Sequence, residues 1–412
     1  MMQTSLKFPS KQNAIDVAET EELRDSRLQL QRRRDRISVC HVVAGSDWAG
    51  AEAQVATLVR WLAKNPEVDL HAIVLYDNRL ARELRSAGAD VYVASEQNKS
   101  FPQLISECSQ FVRSRKVQIL HSHCYKENII ALAVSYLCKV PYLVRTEHGI
   151  PEPYSVIRNL KHWCVLAVDR MAARYTPDQI IGVSSDLGEY WSKHANPKKV
   201  MVLRNGIDLE RTTSRLTPVE AKQRLGISGD SFVVGLAARL ERIKRVDLFV
   251  STAAHLAERI PNAKFVVAGR GRLEKWLRQL VANAGLEERV LLLGDRSDVY
   301  DVLRAMDVLL MCSDHEGVPM VILEAMALGV AVVSRNVGGI PEVMEHGRTG
   351  ILVPSGTPEA LGGACMELFE KPELRESLAQ AARREILQKH SAEKNAESVL
   401  QVYRSICLRA AI

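Results

Sequence analysis

The sequence predicts an α/β protein made of two doubly wound parallel sheets that face each other across a cleft, and three observations predict it. The chain has 412 residues, too many for one ordinary core and enough for two domains of roughly 150–200 residues each. From Ile37 onward, short and nearly continuous apolar runs alternate with amphipathic stretches, as strands do when crossover helices bury both faces of their sheet. The alternation stops in a polar stretch near residue 210 and then begins again.

Taken in order, residues 1–36 are polar and end in an arginine cluster, Arg32 to Arg36. They predict an extension outside the first core, either a solvated tail or an arm for a membrane or partner. Strands are expected at ISVCHVVAG, LHAIVLY, DVYVAS, VQILHSHC, YLVRTEHG, QIIGVSS and VMVLRNG, with helices such as AEAQVATLVRWLAK, FPQLISECSQFVRSR and ENIIALAVSYLC between them. A polar connection, Leu209 to Asp230, precedes a second set of strands: FVVGLAAR, AKFVVAG, RVLLLGD, DVLLMCS, VAVVSRN and GILVP. The segment Ala379 to Leu408 predicts helix that braces one domain against the other. The expected units are thus the extension 1–36, a first domain 37–208, a second domain 209–385 and a C-terminal helical segment 386–412.

Composition narrows the class. With 47% apolar and 25% charged residues the chain is globular rather than disordered. No apolar run approaches the ~20 residues of a spanning helix, and the N-terminus lacks the apolar segment of a secretory signal. The expectation is a cytoplasmic protein, with the inner face of the membrane as the alternative station. Eight cysteines, none in a C-x-x-C pair, read as small core residues rather than bridges or metal ligands. A net charge of +6 permits anionic membranes or phosphorylated substrates, but no recognition helix, zinc finger or ribonucleoprotein signature supports a nucleic-acid partner. The segment VIRNLKHWCVLAVDRMAARY, with Arg158, Lys161, Arg170 and Arg174 beside Trp163, predicts either a helix lying on an anionic bilayer or a core helix with a basic edge.

Ligands of open α/β sheets bind beyond the carboxyl ends of the strands, so the chemistry is sought there. The richest stretch is SDHEGVPMVILEAMALGVAVVSRNVGGIPEVMEHGRTGILV, Ser313 to Val353. Pro319 suits the first turn of a helix running to Leu328, with Glu316 and Gly317 at its mouth. On one helix Glu316 and Glu324 would lie about 12 Å apart. Glu324 interrupts the apolar run VILEAMAL, where a carboxylate requires hydrogen-bond donors such as ribose hydroxyls. The helix mouth offers N–H groups and partial positive charge to a phosphate. Two surface glutamates on one helix are the plain alternative. In GLAARLERIKRVDLFV, Arg239 ends an apolar strand and Lys244 follows five residues on. A guanidinium and an ammonium so placed can grip a diphosphate, or can be solvated strand-end cations.

These two motifs resemble the paired-glutamate signature and the R-x-x-x-x-K element of the retaining glycosyltransferases of family 4, which have the GT-B architecture of two Rossmann-like domains. The resemblance covers roughly residues 37–390. It implies that Glu324 holds the donor ribose, that Glu316 faces the transferred sugar, and that Arg239 and Lys244 meet the diphosphate. Where the family often reads E-G-F-G this chain has EGVP, so donor contacts at Gly317, Val318, Met320 and Val321 are expected around a proline that donates no hydrogen bond. AGSDWAGAEAQ is similar to the family's G-G-A/S-E loop, with Ala49 in place of the first glycine and Gly50 approaching the donor. His148 in RTEHG matches a family histidine that contacts the transferred hexose, although a strand-end histidine can equally bond locally. His121 and His123 either line the acceptor side or are local. Asn205 and Gly206 in VLRNGID turn the chain at the domain junction, where Asn205 is assigned a donor contact. Gly269, Gly271 and Ser297 match base-proximal loops. Gly338 and Gly339 turn the chain, and Glu342 is expected to be structural.

The resemblance implies hexosyl transfer with retention from a nucleotide-diphosphate sugar, UDP-hexose ahead of GDP-mannose, to a glycan or lipid-linked acceptor in cell-surface polysaccharide or glycolipid synthesis. No cofactor is expected beyond that co-substrate. No metal is expected, since no two aspartates are separated by a single residue. The alternatives are a nucleotide-sugar epimerase or phosphorylase of the same fold, which needs no separate sugar acceptor, and a non-catalytic nucleotide-sugar-binding protein, which binds donor without transfer.

Overall fold

The computed structural model describes residues 36–409 except 46–47, 98 and 150–159. The extension 1–36 therefore lies almost wholly outside the described residues, as does Arg158 of the basic segment. All thirteen expected strands form. The first sheet holds β1 (Ile37–Val43), β2 (Val68–Val74), β3 (Asp90–Val93), β4 (Ile119–Ser122), β5 (Tyr142–Glu147), β6 (Gln179–Gly182) and β7 (Val200–Val202), in the order β3-β2-β1-β4-β5-β6-β7. The second holds β8 (Phe232–Ala237), β9 (Ala263–Ala268), β10 (Val290–Gly294), β11 (Val308–Met311), β12 (Ala331–Arg335) and β13 (Ile351–Val353), in the order β10-β9-β8-β11-β12-β13. Every pairing is parallel. This follows from strands such as FVVGLA, buried at every position, which need helices on both faces.

In both sheets the strand order reverses once, between β1 and β4 and between β8 and β11. At such a point neighbouring connections leave to opposite faces and open a crevice at the strands' carboxyl ends. The two crevices carry most of the chemistry-bearing residues singled out above.

The C-terminal segment differs from expectation. It is two helices, Pro372–Lys389 and Ala392–Arg409, broken at His390. The break is where the chain crosses back to the first domain. Ile207 donates its N–H to His390, and Ala392 donates to Ile207, at 2.8 and 3.0 Å. A Cβ on Gly206 would lie 2.7 Å from the Ala392 backbone, so only glycine permits the crossing. The last helix then buries Ala396, Val399, Leu400, Tyr403 and Ile406 in the core of the first sheet. The polar connection is not all loop: Thr217 and Glu220 cap a short helix, Pro218–Arg224.

Candidate active site

On the second domain the site is built from the loops after β8 and β11, zipped together where Asp314 N–H donates to Ile243 O at 2.8 Å. Lys244, on a 3-10 turn, gives its ammonium to both carboxylate oxygens of Glu316, at 2.6 and 2.8 Å. The Ser313 hydroxyl donates to the same carboxylate at 2.6 Å. Glu316 is buried, so this pairing offsets the desolvation of its charge. Arg239, by contrast, is exposed. It acts electrostatically on the half-buried Cys124 thiol just beyond β4, whose pKa burial raises and Arg239 opposes.

The Glu316 loop is fixed by close backbone approaches. Gly339 N–H donates to Glu316 O at 3.0 Å, and a Cβ on Gly338, whose φ is +54°, would sit 1.9 Å from that oxygen. Gly317 lies against the carbonyl of His148, 2.8 Å from where its Cβ would be. Asn205 donates from Nδ2 to Val318 O at 2.9 Å, so both groups are engaged at the domain junction. The helix expected from Pro319 begins at Met320, with Pro319 as its N-cap, and ends at Ala327. Its mouth is thus at Met320 and Val321 rather than at Gly317. The Glu316 and Val318 carbonyls are drawn into contacts with Gly339 and Asn205 instead of continuing the helix backward, and a single-helix separation of the two glutamates does not apply.

Glu324 lies inside that helix, half-buried. Burial pushes its carboxyl up to about 7, opposed by the charge of Arg79 and a hydrogen bond from Tyr300. Arg79 belongs to the first domain, where it stacks over Trp48 at 4.0 Å. Gly50 also reaches this helix: a Cβ there would be 3.8 Å from the Met320 side chain. Gly269 and Gly271 are required for packing. Their Cβ positions fall 1.9 and 2.4 Å from the carbonyls of Ala238 and Leu240, which flank Arg239 and hold its loop flat. Ser297 is exposed on the loop after β10.

On the first domain, His41 of β1 and His121 of β4 are register partners. His41, His123 and the half-buried His148 are hydrogen-bonded in series, and His121 stacks on His123 beside them. Burial lowers every one of these pKa values, to about 3 for His41 and about 4 for His148. The rings are neutral. Sequence spacing pointed to no histidine cluster, yet the nitrogens of His41, His121 and His123 lie within 4.8 Å of one another, because adjacent parallel strands align residues 80 apart in the chain. Nearby, burial also raises the Glu127 carboxyl to about 7 against hydrogen bonds from the N–H groups of Glu127 and Ala44.

Three polar contacts tie the domains together beside the cleft. Glu342 accepts from Ser185 N–H at 2.6 Å, from the Ser185 hydroxyl and from Arg204 at 2.9 Å, which fits its expected structural role. His315 pairs with Asp186 at 2.8 Å. Asn205 supplies the third. Arg79, Tyr300, Ser313 and His41 are the residues that sequence reasoning missed. Arg79, Tyr300 and His41 come from other parts of the chain and are brought to the site by the fold, whereas Ser313 opens the quoted Glu316 stretch and reaches that carboxylate from three residues away.

The glycosyltransferase family 4 profile matches residues 48–211, and the glycosyl transferases group 1 profile matches residues 219–385. A galactosyltransferase of Escherichia coli, UDP-Gal:alpha-D-GlcNAc-diphosphoundecaprenol alpha-1,3-galactosyltransferase, is 30% identical over 264 residues, 62% of this chain and 67% of that one. The chain is a family 4 glycosyltransferase. N-acetyl-alpha-D-glucosaminyl L-malate synthase of Bacillus anthracis is also 30% identical to this glycosyltransferase, over 56% of the chain, and the match spans 60% of that relative's length. Anabaena HepE, solved in complex with UDP and glucose, has the same fold, with a TM-score of 0.80 at 21% identity over 90% of this chain and all of that one. The two-domain GT-B architecture is thereby shown.

Proposed function

We propose that this glycosyltransferase moves a hexosyl group from a nucleotide-diphosphate sugar, UDP-hexose first, to a glycan or lipid-linked acceptor with retention and without a metal, in cell-surface polysaccharide or glycolipid synthesis. One juxtaposition carries the reading: the loop that holds the Lys244–Glu316 pair abuts the first domain, with Gly317 against the His148 carbonyl and Met320 against Gly50. HepE was solved with UDP-glucose, and the E. coli relative's name states a UDP-galactose donor and a diphosphoundecaprenol acceptor, which supports both halves of the proposal.

In this reading Glu324 accepts from the ribose hydroxyls, and Met320 and Val321 present the first N–H groups of their helix to the phosphates. Arg239 grips the diphosphate. Lys244 is shared between the phosphate and Glu316, which faces the sugar. As the bond from C1 to the phosphate oxygen breaks, charge grows on the diphosphate between these cations and the helix dipole. That oxygen then takes the proton of the acceptor hydroxyl as the hydroxyl oxygen bonds C1 on the same face. Val318 and Asn205 shape the loop, while Gly269, Gly271 and Ser297 border the nucleobase side.

A membrane station is supported by the helix Leu160–Tyr175. Asp169 points inward to the buried Arg145, at 3.0 Å, which turns Val168, Met171 and Tyr175 outward, 43, 63 and 71% exposed, beside exposed Arg170 and Arg174. Apolar side chains flanked by cations suit an anionic interface. No described helix is long and apolar enough to cross a membrane.

The test is mass spectrometry of products after incubation with a panel of nucleotide sugars and a bacterial lipid extract. A hexose added to one acceptor is expected. Isomerised donor or sugar phosphate without an acceptor product would favour the epimerase or phosphorylase reading, and nucleotide-sugar binding without any product the non-catalytic one.

A further inference from the structure

The residues on both sides of Lys244 are tied to one residue that stands just before Glu316 in the chain. Ile243 O accepts from Asp314 N–H at 2.8 Å, and Arg245 Nη1 donates to Asp314 Oδ1 at 3.1 Å. The same Oδ1 accepts from Nη1 of Arg335, the last residue of β12. Asp314 itself lies between Ser313 and Glu316, the donor and acceptor of the hydrogen bond that fixes the carboxylate facing Lys244. Three segments thus meet at one side chain: the turn that carries Lys244, the loop that carries Glu316, and the end of β12.

Two local costs converge there. Arg245 ends the 3-10 turn Arg242–Lys244 in left-handed backbone, with φ +50°, a conformation that a side chain disfavours. Asp247 holds its guanidinium from the other side, at 3.1 Å from Nε and 2.9 Å from Nη2. Arg335 Nη1 also lies 3.1 Å from Ser313 O and 3.4 Å from Cys312 O, so it braces the backbone on which Asp314 stands. Its Nε is buried with no partner among the described residues, and a Cβ on Gly356 would fall 2.7 Å from that atom. Ordinary surface ion pairs need neither left-handed backbone nor an unmet donor. Such costs gather where a local geometry is constrained by function. The Lys244–Glu316 pair is a geometry of that kind, because a lysine ammonium on its flexible stem is a mobile charge unless its surroundings fix it.

We propose that Asp314, clamped by Arg245 and Arg335, is the positioning residue that holds Lys244 on Glu316 and so sets the cation that meets the donor diphosphate. Its effect on donor binding rests on the reading of Lys244 as a phosphate contact, whereas the clamp itself can be read without donor.

Competitive acetylation of the full-length protein by acetic anhydride, read lysine by lysine by mass spectrometry, measures how firmly Lys244 is held. Lys222 is the control, since it is buried in the same domain but paired with Asp307, at 2.8 Å. Asp314→Ala should speed labelling of Lys244 about fivefold, the worth of one hydrogen bond, and leave Lys222 unchanged. Asp314→Asn, whose Oδ1 still accepts from both guanidiniums, should keep Lys244 slow. By calorimetry, UDP affinity should fall about fivefold in Asp314→Ala. Combined with Lys244→Ala, the same substitution should cost no further affinity, because nothing remains to be positioned. Lys244 labelling unaltered in a folded Asp314→Ala would overturn the proposal. So would labelling that rises equally at Lys222, which marks general loosening, an Asp314→Asn as fast as Asp314→Ala, or losses of UDP affinity that simply add. If Asp314→Ala fails to fold, Arg335→Met, which keeps the apolar stem and removes the guanidinium, carries the same labelling test. A wild type that binds no UDP would sink the reading of the site, while the labelling still decides the clamp.

Discussion

At the scale of single residues, the three charged groups Glu324, Arg239 and Lys244 carry opposite expectations for stability and activity. Burial holds the Glu324 carboxyl at about 7, above its ordinary value of 4.5. Between those two values the folded state binds the extra proton, so this group's contribution to stability is lost as pH rises through them. Glu324→Gln should therefore stabilise the unliganded protein at pH 8, by at most about 3 kcal/mol, and at the same time weaken UDP binding. Thermal melts and calorimetry on one sample check both signs. Wild-type UDP affinity should also fall below pH 7, because the ribose hydroxyls need the ionised carboxylate. Arg239 and Lys244 separate in another way. Arg239 is exposed, so Arg239→Ala should abolish most transfer with no change in Tm. Lys244→Ala strands Glu316 as an unpaired buried carboxylate and should also cost about 3 kcal/mol of stability, visible as a lower denaturation midpoint.

Among elements, the loop that follows β11 depends on a neighbour more than twenty residues on. Gly338 lies in left-handed backbone against Glu316 O, so Gly338→Ala should lower both Tm and transfer while leaving the sheets intact by circular dichroism. The helix Leu160–Tyr175 is anchored on its inner side by the Arg145–Glu147–Asp169 cluster, with contacts of 2.6 and 3.0 Å. Its outer side supplies the membrane test. Arg170→Glu with Arg174→Glu should reduce co-sedimentation with anionic vesicles at low salt, and equal binding of the wild type to neutral and anionic vesicles would remove the membrane station.

For the whole molecule, two bodies share one chain end and one cleft. The last helix completes the first domain's core and places Tyr403 against His121. Ending the chain at Lys389 should therefore expose that core and yield aggregated protein, seen by light scattering. In the proposed mechanism the fixed cations Arg239 and Lys244 and a helix mouth neutralise the departing diphosphate. Transfer is expected to persist in excess EDTA. Loss of activity there, with recovery on adding magnesium or manganese, would refute the metal-free mechanism.

Strand identity, parallel pairing and the division into two sheets were legible in the sequence, because continuous apolar runs at this length can be buried only between helix layers. The R-x-x-x-x-K and paired-glutamate motifs were legible too, since each sits at the end of such a run and strand ends converge on a crevice. Other features depend on partners far apart in the chain. The break at His390 exists because Gly206 admits the returning backbone, and nothing local in Ala379–Leu408 announces it. The displaced helix mouth follows from Asn205 and Gly339 capturing carbonyls that a helix would otherwise have used. The charge of Arg79 is felt at Glu324, and His41 reaches His123, only through packing and strand register. Local sequence determines which segments are strands and where charge can gather. The tertiary contacts decided which of those charges meet, because a buried polar group takes whatever partner the closed fold brings within reach.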